Sequence, residues 1–128
     1  MRVVDWFSEN WTEEVHEDRG IAQFHYRSGG QDKYCALGFV MHFGLGLPVS
    51  FGDPDRLVLS DIPNQAYVYM ANDSPDCSRA ELIRAVERAW DGWTMDDLKW
   101  RVESAYKARQ ALEEKNLAAY EAEKAKNA

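Results

Sequence analysis

The chain has 128 residues, 45% of them apolar and 29% charged, which suits one hydrophobic core and is short for two ordinary domains. Five Trp, six Tyr and five Phe exclude disorder as the overall state, because that much aromatic surface is buried rather than solvated. Fifteen Lys and Arg against 22 Asp and Glu leave a net charge of −7, and the imbalance lies wholly in residues 1–93, since the seven basic and seven acidic residues of 94–128 cancel.

In chain order, Val3, Val4, Phe7 and Trp11 fall at i, i+1, i+4 and i+8, one stripe of a short helix over residues 2–11. Residues 21–26 alternate enough for a short strand or extended segment, and residues 27–32 read as a loop around Gly29-Gly30. Residues 33–45 are apolar on nearly every face, the pattern of a buried helix, which Gly44, Gly46 and Pro48 end. Residues 49–60 read as a connection with a turn at Gly52-Asp53-Pro54-Asp55. Asp61-Ile62-Pro63 resembles a helix cap followed by Pro in the first turn, predicting a helix over 62–71. The run Ala66 to Met70 also suits a strand.

Ser78-Arg79-Ala80-Glu81 has the form of a capping box, followed by Leu82, Val86, Ala89 and Trp90 at helical spacing. A helix over 79–90 follows. Thr94-Met95-Asp96-Asp97 starts another, with acids in the first turn where the helix dipole favours them. No Gly or Pro interrupts the chain from there to Lys126, and Leu98, Val102, Ala105 and Leu112 form the expected packing stripe. The expected fold is all-α: a compact acidic helical domain, residues 1–93, and a long C-terminal helix, residues 94–128, whose last third projects. The alternative is α+β, with a small antiparallel sheet from 21–26, 57–59 and 66–70.

Four stretches in order are Asn10-Trp11-Thr12 with Asp18-Arg19-Gly20, then Tyr34-Cys35-Ala36-Leu37-Gly38, then Asn72-Asp73, then the helix over 78–89. Together they resemble a family of small actinobacterial, proteobacterial and phage proteins that share a domain of unknown function. That family shows a WT…RD.G segment, a C.LGA helix and an ND turn before a last amphipathic helix. The chain departs from it at Phe39, where the family has a small residue, and in the long tail helix. The resemblance implies an all-helical fold and a phage or mobile-element setting, and it carries no catalytic residue.

Excess acid repels a phosphate backbone, so direct nucleic-acid binding is not expected and a protein with a basic surface is the better-matched partner. No run approaches the roughly 20 apolar residues of a membrane helix, and the early charges of Arg2 and Asp5 do not suit a signal peptide, so a cytoplasmic, soluble protein is expected. Cys35 and Cys77 read as reduced thiols, and the spacing of His16, His25 and His42 matches no metal motif. No cofactor is expected.

The function expected from these features is a non-catalytic, acidic protein-binding module of phage or mobile-element origin, an inhibitor of a host defence or nuclease complex. Its candidate contacts are the acidic run Glu13, Glu14, Glu17 and Asp18, and the aromatics Trp100, Tyr106 and Tyr120 on the tail helix. The alternative is a small enzyme or ligand-binding protein with a pocket near Cys35, His42 and Asn72-Asp73. A single-chain state is favoured over self-assembly, because Leu112, Leu117 and Tyr120, five and three residues apart, make a poor heptad seam.

Overall fold

The computed structural model describes residues 1–11, 26–28, 31–33, 35–47, 56–74 and 76–127. These form an all-α arrangement with one short hairpin. Helix α1 (Val3–Asn10) buries Val3, Val4 and Phe7, with Trp11 beyond its end, as the stripe predicts. Its start is tied to the far end of the fold: the Val3 N–H donates to the Trp93 carbonyl at 3.0 Å, and the Met95 N–H donates to the Met1 carbonyl at 2.9 Å.

The hairpin pairs β1 (Tyr26–Ser28) with β2 (Gln31–Lys33), Ser28 opposite Gln31. Of residues 27–32, expected as a loop, 27–28 and 31–32 are strand, and Gly29-Gly30 lies outside the described residues. Of the alternative sheet, residues 66–70 are helical, Leu57 takes part in an isolated β-bridge and Leu59 opens a 3-10 turn, while residues 21–25 lie outside the described residues.

The buried helix expected over 33–45 is shorter and changes character. Helix α2 (Ala36–Phe39) runs into a π turn, Val40–Gly44, in which the Leu45 N–H reaches back five residues to the Val40 carbonyl at 3.0 Å. The extra residue per turn swings the facing direction. Ala36 to Met41 are buried, but His42 and Phe43 emerge, Phe43 being 52% exposed. Gly44 is where this turn meets its neighbours: a Cβ there would sit 2.7 Å from Met95 Cε and 3.2 Å from the Trp6 ring.

Helix α3 (Gln65–Asp73) begins three residues later than Asp61-Ile62-Pro63 suggests. Asp61 does not cap it. Its carboxylate accepts the Val58 N–H at 2.9 Å, closing the 3-10 turn Leu59–Asp61, and Asn64 then takes a left-handed conformation, φ 58°, before the helix starts. Val68 and Asn72, one turn apart, are the buried residues of α3, a helical rather than alternating pattern. Asn64 Nδ2 and Trp90 Nε1 close the loop, donating to the Ala89 and Pro63 carbonyls.

Helix α4 (Arg79–Ala89) starts at Ser78 as predicted, with Ser78 Oγ accepting the Glu81 N–H at 3.1 Å. No return bond from Glu81 to the Ser78 N–H is present among the described residues. The reciprocal capping box is at Thr94 and Asp97, with bonds of 3.1 and 3.0 Å. Leu82, Val86 and Ala89 face the core with Trp90.

Helix α5 (Met95–Lys126) has 32 residues, about 48 Å at 1.5 Å per residue. Leu98 and Val102 are buried and Ala105 and Tyr106 half-buried. Arg109 ties the helix to the body: its Nε donates to both Asp61 carboxylate oxygens at 2.9 and 3.1 Å and its Nη2 donates to the Arg56 carbonyl at 2.6 Å. Every residue from 111 to 127 is exposed. Leu112, placed in the packing stripe by its spacing, is 58% exposed, because the body ends one turn before it. The projecting arm is thus about 25 Å long, half the helix rather than its last third.

Candidate protein interface

Helix α5 is held in rotation by Leu98 and Val102, which sit against the core one turn apart. At 100° per residue that places Trp100 about 160° away from Val102, facing outward. Trp100 is 69% exposed. Beside it the Arg101 guanidinium lies 4.4 Å above the centre of the Trp93 ring, a cation–π contact, and Trp93, Asp97, Trp100 and Arg101 line a cleft of about 290 Å³. The Thr94 cap fixes where the helix begins and therefore where this cleft falls. Hydrogen bonds from the Thr94 backbone and hydroxyl hold the Asp97 carboxyl below the usual range, and this carboxyl shares the cleft with the Arg101 guanidinium.

The other expected contacts do not gather round Trp100. Tyr106 is half-buried against the core, with the Arg109 guanidinium 5.4 Å from its ring centre, and it lines a separate apolar cleft with Leu47, Leu57, Glu103 and Lys107. Tyr120 is 63% exposed, but it lies about 30 Å further along α5 and on the opposite side from Trp100. Glu13, Glu14, Glu17 and Asp18 lie outside the described residues.

Of the alternative pocket, the structure brings Cys35 and Asn72 together at the start of α2. Asn72 is not in a turn but in the last turn of α3, fully buried, where its Oδ1 accepts the Ala36 N–H at 3.0 Å and its Nδ2 donates to Asp73 at 3.2 Å. Cys35 Sγ accepts the Gly38 N–H at 3.4 Å. Burial pushes the Cys35 thiol up to about 11, so it is protonated at neutral pH and not a ready nucleophile. His42 points elsewhere: it is exposed, with Nδ1 3.2 Å from the Leu47 carbonyl. Both cysteines are buried and neither is in a disulfide, and no group of three His, Cys, Asp or Glu suited to a metal ion occurs among the described residues.

Two features had no sequence signal. Asp61 and Arg109 are 48 residues apart, and the Arg101–Trp93 contact crosses the break between α4 and α5. Only the fold makes them neighbours.

No family model, no curated protein and no solved structure matches this chain. Among the described residues no helix is long and apolar enough to cross a membrane.

Proposed function

We propose that the protein is a non-catalytic protein-binding module whose contact surface centres on Trp100, and that its partner is a protein with a basic face, of the class found in nucleases and host-defence complexes, which it inhibits by occupying that face. The observation that carries this reading is Trp100 itself, a large aromatic 69% exposed on a helix locked by Leu98 and Val102, beside Arg101 stacked on Trp93. Trp and Arg concentrate binding energy at interfaces. A Trp side chain has only two rotatable bonds, so on a helix already held in place it loses little freedom when it binds. The net charge of −7 supports a basic partner and disfavours a nucleic acid. The phage or mobile-element setting is supported by the family resemblance of residues 6–90.

The test compares wild type with Trp100→Ala, matched for thermal midpoint, in affinity capture from the native host, followed by calorimetry on the recovered protein. The expected result is one basic-faced partner whose affinity falls about 30-fold, or roughly 2 kcal/mol, on losing the indole. Equal affinities would overturn the role of Trp100. A partner chemically altered by the protein would overturn the non-catalytic reading.

A further inference from the structure

The face of α5 that packs on the body does not stop where the body stops. At 100° per residue, Glu113, Leu117, Tyr120, Lys124 and Asn127 lie within about 80° of arc centred near Val102, on the meridian of the buried residues. Their spacing is four, three, four and three, a heptad seam. Leu112 lies about 80° to one side of Val102 and does not belong to it. On that meridian the body covers the helix as far as Arg109, which is clamped to Asp61, and beyond it Leu117 is 57% and Tyr120 63% exposed.

We propose that this seam pairs with the same seam of a second copy of the chain, the two arms antiparallel. The charge pattern is what commits the partner. Laid antiparallel about a point midway between Leu117 and Tyr120, the sequence places Leu117 opposite Tyr120, Glu113 opposite Lys124, and Gln110 opposite Asn127. By two-fold symmetry each pairing occurs twice, so two apolar pairs are flanked on both sides by an acid–base pair, while Glu114 and Glu121 meet as like charges at the edge of the seam and weaken the association. A parallel arrangement sets Glu113 against Glu113 and Lys124 against Lys124. Glu113 also accepts from Arg109 on its own helix at 3.0 Å, which fixes its carboxylate at the root of the arm.

The length fits as well. The overlap runs from 110 to 127, and residues 111–127 are the exposed stretch, so each arm ends where the other's body begins. Trp100, on the opposite side of α5, stays open in both copies. The pair thereby presents two such surfaces, and a partner with two matching sites gains by effective concentration. With two apolar pairs the interface falls below the roughly 1,200 Å² of a standard one, so the association is weak.

Sedimentation equilibrium of the full chain from about 10 µM to 1 mM is the test. The mass is expected to rise from 14.7 kDa toward twice that value. Glu113→Lys and Lys124→Glu each create two like-charge pairs and are expected to weaken association about tenfold, while the double variant restores it. Trp100→Ala leaves the curve unchanged. A wild-type mass of 14.7 kDa throughout, or a double variant as weak as either single one, overturns the pairing. Loss of association in Trp100→Ala overturns its assignment to the arm, whereas failure of the pairing leaves Trp100 free to bind a different protein.

Discussion

Cys35 illustrates how one side chain of an expected pocket can be structural in the fold. The alternative reading groups it with His42 and Asn72-Asp73, but here the sulfur closes the first turn of α2 and Asn72 takes the adjacent N–H. Because the thiol titrates near 11 in the folded chain, above its ordinary value of 9.0, the folded state keeps the proton after the unfolded state has lost it. Stability from this source is complete below about pH 8.5 and falls as pH rises toward 11, by roughly 2–3 kcal/mol in total. Urea midpoints of wild type and Cys35→Ala at pH 7.5 and 10.5 check this. The alkaline loss is expected to be larger in wild type, and an equal loss in both would show that the thiol is not buried. Asn72 carries the complementary lesson: its neighbour Asp73 marks a helix end in the sequence, but nothing local says that its amide crosses to α2.

Among the elements, α1, α4 and α5 were legible because each has an apolar stripe at helical spacing and, for α4 and α5, a capping residue. What was not legible depends on partners elsewhere in the chain. The π turn at Val40–Gly44 exists where Gly44 lets the backbone approach Trp6 and Met95, and no local propensity encodes that approach. The start of α3 shifted because Asp61 is drawn into the clamp on α5. That clamp ties α5 to the body at Arg109. Asp61→Asn removes the buried carboxylate from the Arg109 guanidinium, 16% exposed and still paired with Glu113, and is expected to cost about 2 kcal/mol, the range of a hydrogen bond to a charged group. Chemical denaturation measures it, and a loss under about 1 kcal/mol, the range of exposed ion pairs, would mean that solvent already screens the contact.

For the whole molecule, composition placed the charge and the core but not the boundary between body and arm. Residues 1–93 do not stand apart from the helix that follows, since the Met95 N–H bonds to the Met1 carbonyl and Leu98 and Val102 are buried in the same core. The arm departs only at residue 111, where core contacts end. The candidate interface was legible in part: Trp100 emerged from its position opposite Val102, whereas Tyr106, four residues beyond Val102 and only about 40° from it around α5, lies on the packed side of the helix. The distribution of the five tryptophans also has an optical consequence. Trp11 and Trp90 are buried, Trp6 and Trp93 are partly covered by their neighbours, and Trp100 stands in water. Emission is therefore expected to separate into a blue-shifted, quencher-resistant majority and a red-edge component from one indole. Acrylamide should remove that component first, and Trp100→Phe should abolish it. If the red edge survives the substitution, another indole is equally wet. If it does not, the protein carries its own unlabelled reporter, and any partner that covers Trp100 announces itself by a blue shift.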